Sequence, residues 1–165
     1  MIDNMTSYKL AINALLKNDI NTFITIISKM NLEQANSHGE TILWLAVQKG
    51  SINFVEILLE YGANINTADK DGWTPLHLAV QNNDINMVRL LLNHNPDINA
   101  TNKYGNNIIW VAVYWAKGRH DIIELLLDAG ANPFQCNYHG INAINLAQTI
   151  ANYDNVSVFL RKKVL

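Results

Sequence analysis

The chain has 165 residues, 49% of them hydrophobic and 16% charged, with a formal net charge of -2. That is ample apolar material for a core, and it offers no global basic field to attract the phosphates of DNA or RNA, so nucleic acid is not expected as a partner. Cys136 is the single cysteine, which excludes an intramolecular disulfide and suits a reducing compartment.

From the N-terminus, Met1 to Leu16 carries Asp3, Asn4 and Asn13 and lacks the basic start and apolar run of a signal peptide. No later stretch approaches the roughly 18 apolar residues needed to span a bilayer. A cytoplasmic location without membrane attachment is therefore expected, and delivery to a host cell by a signal-independent route is compatible with it. Leu10, Ala14 and Leu15 have helical spacing, and Phe23, Ile24, Ile27 and Met30 form a second helical stripe.

Beyond residue 35 the chain repeats itself. Gly39, Gly72 and Gly105 stand 33 residues apart and Gly140 follows after 35. Each opens a similar segment: Gly39-Glu-Thr-Ile-Leu-Trp-Leu-Ala-Val47, Gly72-Trp-Thr-Pro-Leu-His-Leu-Ala-Val80, Gly105-Asn-Asn-Ile-Ile-Trp-Val-Ala-Val113 and a weaker Gly140-Ile-Asn-Ala-Ile-Asn-Leu-Ala147. Thr41, Thr74, Asn107 and Asn142 are placed to cap the helix that follows, since their side-chain oxygens can accept from a free backbone N–H. Pro75 suits the first helical position, where a missing N–H is harmless. A second helix then carries paired leucines (58 and 59, 91 and 92, 126 and 127) and stops at Gly62, Asn95 or Gly130, residue types that tolerate a left-handed conformation. Neither helix can bury its apolar face alone, so the copies must stack.

Asp71-Gly72-Trp73-Thr74-Pro75-Leu76-His77-Leu78-Ala79, followed by Leu90-Leu91-Leu92 and Asp97-Ile98-Asn99-Ala100, resembles the ankyrin repeat. The other copies fit with substitutions. The resemblance implies an all-α solenoid of helix-turn-helix units with projecting hairpin loops. It is expected as one array over residues 1–165, with an N-terminal capping repeat over 1–35, full repeats over 36–68, 69–101 and 102–136, and a C-terminal capping repeat over 137–165.

What the resemblance implies about function is protein binding without catalysis. The hairpin tips and the open side of each first helix would line a concave groove. Carried over position by position, the groove receives Ser37, His38, Glu40, Gln48 and Lys49, then Lys70, Asp71, Trp73, Gln81 and Asn82, then Lys103, Tyr104, Asn106 and Tyr114, and finally Tyr138, His139 and Ile141. The list is rich in Trp and Tyr, the residue types enriched among binding hot spots. The third full copy has two residues more than its predecessors, within Tyr114-Trp-Ala-Lys-Gly-Arg-His120. The insertion is expected to lengthen the turn between its helices and to carry Tyr114, Trp115, Lys117 and Arg119, of which Trp115 and Arg119 would extend the partner site. Trp44 and Trp110 replace the histidine of the first helix, so its hydrogen bond to the next copy is expected to be absent there, with the rings packed between first helices and an edge of either one open to the groove as the alternative.

Catalysis finds no support. Cys136 and His139 have C-x-x-H spacing, but a structural zinc site needs a second pair, and no phosphate loop, nucleophile elbow or dinucleotide fingerprint is present. No metal or cofactor is expected, and the partner is a protein, bound by a chain that is monomeric when free. An adaptor, an inhibitor or immunity-type protein blocking one enzyme or toxin, and a host-directed effector all fit this pattern.

Overall fold

The computed structural model describes residues 4–150 and 156–162. Among them stand ten α-helices and no strand beyond isolated bridges at Ala35–Thr41 and Thr101–Asn107. The helices come in consecutive pairs: α1 (Asn4–Lys17) with α2 (Ile20–Ile27), α3 (Ile42–Gln48) with α4 (Ile52–Glu60), α5 (Pro75–Gln81) with α6 (Ile85–Leu92), α7 (Ile108–Trp115) with α8 (Asp121–Asp128), and α9 (Ala143–Thr149) with α10 (Val156–Arg161). The first helix of each pair touches the first helix of the next, and α2, α4, α6 and α8 form a second row behind them. This is the stacked helical solenoid implied by the repeat. No helix among the described residues is long and apolar enough to cross a membrane.

Local chemistry starts and stops the helices as anticipated. The side chains of Thr41, Thr74, Asn107 and Asn142 accept from the backbone N–H groups of Trp44, His77, Trp110 and Asn145, each satisfying a donor the helix leaves free. Asn95, with φ of 52°, takes the left-handed role of Gly62 and Gly130. Leu58, Leu91 and Leu126 are fully buried, whereas their neighbours Leu59, Leu92 and Leu127 are only partly covered. One leucine of each pair is therefore core. The N-terminal stripe needs correcting: Leu10 is exposed, and the buried face of α1 is Tyr8, Ala11, Ala14 and Leu15. In α2, Phe23 and Ile27 are the buried pair, with the Phe23 ring edge-on to Phe54 at 4.7 Å.

The hairpins are built by one side-chain device that recurs in every copy. Asn36, Asp69, Asn102 and Asn137 each accept, through Oδ1, the backbone N–H groups two and four residues ahead. Such turns copy a backbone turn with a short polar side chain. Adjacent hairpins then bond directly, Lys70 N–H to His38 C=O at 2.9 Å, Lys103 to Asp71 at 2.8 Å and Tyr138 to Tyr104 at 3.1 Å. The approach is close enough that a Cβ on Gly72, whose φ is 79°, would stand 2.9 Å from Asn102 Cα. On the opposite edge, the side chains of Glu33, Asn66 and Asn99 accept from the backbone N–H of Asn64, Asp97 and Asn132.

A third ladder joins first helices to hairpins. Tyr8 Oη donates to Glu40 C=O at 2.7 Å, Trp44 Nε1 to Trp73 C=O at 3.1 Å, and His77 Nε2 faces Asn106 C=O at 3.4 Å. Burial, reinforced by the Glu40 charge, pushes the Tyr8 phenol up to about 12. The expected loss of the bond at Trp44 is thus overturned, because an indole N–H reaches the carbonyl that the histidine would have reached. Trp44→Phe is expected to lower stability by about 1–2 kcal/mol, the worth of one buried bond and a little volume. Urea titration of the two proteins side by side checks this, and equal midpoints would show that the bond contributes nothing.

Candidate functional site

Between the second and third hairpins lies an open cleft of about 260 Å³. Trp73, Asn102, Tyr104 and Asn106 line it from the hairpin side, Gln81 from α5, and Trp110, Val111, Tyr114 and Trp115 from α7. The helix periodicity explains the last set: positions 110, 111, 114 and 115 of one helix share a face. The walls are thus five aromatic side chains over a floor held by Asn102 and Asn106.

Hydrogen bonds from three sides hold the floor. Asn106 is buried, with its N–H on Asn102 Oδ1, its C=O shared by Asn102 N–H and His77 Nε2, and its Oδ1 accepting from Asn137 Nδ2 at 2.7 Å. Its expected place as an exposed groove contact is therefore corrected: the side chain is committed to bracing one hairpin against the next. His77 is fully buried and neutral, its pKa lowered to about 4 by desolvation, only partly opposed by the Asn106 carbonyl and the Asp97 charge. Nδ1 accepts the Thr74 N–H, which leaves the ring proton on Nε2, facing Asn106.

The walls are less tied down. Tyr104 and Tyr114 are 50% and 54% exposed, so half of each ring is available to a ligand. Trp73 is half-buried and edge-on to His77 at 5.5 Å. Trp110 departs from the ladder that Tyr8, Trp44 and His77 make. Its ring stacks on Tyr114 (5.5 Å, 10° between planes), and its Nε1, though buried, has no hydrogen-bond partner among the described residues. An unsatisfied buried N–H is costly, so the stacked wall is maintained against the preference of the indole nitrogen. Among the described residues the histidine-type bond is absent here, and the ring joins the cleft wall, the alternative that the sequence left open.

The remaining expected contacts lie around the cleft. Lys103 pairs with Asp71 at 2.9 Å and rests over the Tyr104 ring at 5.1 Å; the Asp71 carboxylate raises its pKa. Tyr138 is 76% exposed, one hairpin further along, with its ring edge over Gly105. His38, Lys70, Arg119 and His139 are exposed and outside the cleft. The inserted residues are placed differently from expectation. Tyr114 and Trp115 belong to α7, and the lengthened turn is residues 116–120, carrying Lys117 and Arg119. Asn83 Nδ2 donates to Trp115 C=O and ties this helix end to the preceding turn. Lys49, which would have joined the groove, instead donates through Nζ to the carbonyls of Leu15 and Leu16 at the end of α1.

Asn102 and Val111 are the cleft residues that sequence reasoning did not assign to the groove, and Trp110 is one it left open. The asparagine was discoverable, because Asn or Asp stands three residues before the glycine in every copy.

Two family models match the chain, one described as ankyrin repeats (3 copies) over residues 67–137 and one as ankyrin repeats (many copies) over residues 28–79. The chain belongs to the ankyrin-repeat family, whose repeats generally mediate protein–protein interaction and are typically non-catalytic. A comparison with curated proteins returned no match.

Proposed function

We propose that residues 1–165 act as one non-catalytic array that holds a partner protein in the groove between the hairpins and the first helices, centred on the aromatic cleft. The observation that carries this reading is the cleft itself: five aromatic side chains converge there, two of them half-exposed, over a floor braced by the His77 and Asn137 bonds. At about 260 Å³ it is smaller than most small-molecule pockets and suits one inserted side chain. Exposed Tyr138 extends the aromatic surface one hairpin further.

The test is affinity capture from lysate with the wild type beside Tyr104→Ala/Tyr114→Ala. Both tyrosines are half-exposed, so the variant keeps the fold, which circular dichroism verifies. A protein bound through the cleft should lose about 2 kcal/mol or more, roughly 30-fold in affinity. Equal capture by both proteins would place the contact elsewhere.

A further inference from the structure

The aromatic cleft has a hydrogen-bonding polarity of its own. Its lining holds no charged side chain, so it meets a ligand with neutral dipoles and ring faces. Three of the lining side chains are tryptophans, and an indole N–H can donate but never accept. Among the described residues, the indole N–H groups of Trp73, Trp110 and Trp115 find no acceptor. The Gln81 carboxamide on α5 is also without a hydrogen bond there. The acceptors around the same cleft are already taken. Asn102 Oδ1 holds the Tyr104 and Asn106 N–H groups, and Asn106 Oδ1 holds Asn137 Nδ2. The carbonyl of Trp73 accepts from Asp69 N–H and Trp44 Nε1, that of Asn106 from Asn102 N–H, and that of Trp115 from Asn83 Nδ2. Donors are therefore open where acceptors are filled, with Gln81 Oε1 and the tyrosine hydroxyls as the exceptions.

Trp110 carries this imbalance furthest. At the same place in the copies before it, Tyr8, Trp44 and His77 face a carbonyl of the next hairpin. Trp110 instead stacks on Tyr114, and its N–H is buried without a partner among the described residues. Such a group is costly, and an acceptor brought by a ligand would relieve it.

A proline-rich segment has the opposite balance. Each proline offers a carbonyl and no N–H, and in the polyproline II helix those carbonyls make no internal bonds. Its pyrrolidine rings dock on aromatic-lined grooves, and the helix is formed before binding, so little chain entropy is lost. The complementarity is one of partial charge, N–H edges against carbonyl oxygens. An ordinary peptide would bring an N–H per residue to a site whose acceptors are occupied. A cationic side chain would meet Lys103, which already rests over the Tyr104 ring at 5.1 Å, and no lining carboxylate.

We infer that the occupant of the groove is a proline-rich segment of the partner in the polyproline II conformation, with one pyrrolidine ring in the aromatic cleft and neighbouring carbonyls on the indole N–H groups and Gln81 Nε2. This rests on the groove reading above and specifies its ligand. Because the Trp110 N–H is buried, its bond forms only as the Trp110 or Tyr114 ring shifts to admit the carbonyl.

The experiment titrates decaproline into nitrogen-15-labelled protein and follows the four indole N–H resonances, one per tryptophan, assigned with single Trp→Phe variants. Those of Trp73, Trp110 and Trp115 should move together and saturate. Trp44, whose N–H is already bonded to the Trp73 carbonyl, should move least. Trp110→Phe keeps an aromatic ring and deletes the N–H, so it should bind at least about fivefold more weakly. Tyr104→Ala/Tyr114→Ala should bind at least about tenfold more weakly, both variants being checked for a native melt. Added salt should leave the affinity unchanged, since the lining is uncharged. Indole resonances that stay put at millimolar decaproline, or an affinity that either variant leaves unchanged, would overturn the proline-rich occupant. The capture experiment judges the groove reading separately. A captured partner that loses affinity on the tyrosine variant but has no proline-rich segment at the contact would strike the occupant and leave the groove standing.

Discussion

Lowering the pH from 7 to 4 is expected to remove about 3 kcal/mol of stability through His77 alone. The ring is fully buried, and its pKa falls from 6.5 to about 4 because desolvation disfavours the charged form. Between those two values the unfolded chain binds a proton at this ring and the folded chain does not. Stability is therefore complete above about pH 6.5, declines as the pH falls toward 4, and has no further dependence on this group below that. Protonation would also set a second ring N–H against the Thr74 N–H that Nδ1 now accepts. His77→Asn supplies the control. Asn145 already plays this capping part in the last copy, where Oδ1 accepts the Asn142 N–H and its own N–H reaches Asn142 Oδ1. The variant should be less stable at pH 7, having lost volume and the contact with Asn106, but it should show a flatter profile between pH 6.5 and 4. Urea titrations of both proteins at several pH values decide the matter, and parallel decline would remove His77 as the cause.

Leu91→Ala should cost about 2–5 kcal/mol, the range for deleting a buried leucine side chain and leaving part of its volume empty. Leu91 is fully buried in α6, whose main contacts are α4, α5 and α8. In a solenoid each copy is stabilised only by its neighbours, so the damage should not spread evenly. Native-state hydrogen exchange should show α5, α6 and α8 losing protection while α1 and α2 keep theirs. Uniform loss along the chain would mean that the array unfolds as one unit. The local outcome bears on the groove, because α5 contributes one side of the aromatic cleft.

The repeat made most of this architecture legible. A 33-residue period, cap residues at fixed offsets and paired leucines specify helix pairs that can only bury themselves by stacking, and these are short-range signals that survive without a structure. The resemblance to the ankyrin repeat, taken position by position, pointed to Trp73, Tyr104, Tyr114 and Trp115, and the structure brings all four to the lining of one cleft. It failed at Asn106, where the residue type reads as a surface polar group. Only the stacking of the next hairpin brings Asn137 Nδ2 to 2.7 Å and turns an exposed amide into a buried brace. It failed also at the insertion, because the length of a turn can be counted but whether added residues extend the helix depends on what that helix packs against.

By itself, then, the sequence determined the period, the order of helices and where each helix starts and stops, since those follow from propensity, capping and hydrophobic spacing within one copy. What only the tertiary structure decided is how side chains from neighbouring copies share the same space. Trp44 and Trp110 show this most directly, being the same residue at the same repeat position. One donates to the carbonyl of the next hairpin, and the other turns to stack on Tyr114 and leaves its nitrogen without a partner among the described residues. The difference lies in what surrounds each ring, because a side chain's rotamer is selected by contacts that its own repeat does not contain.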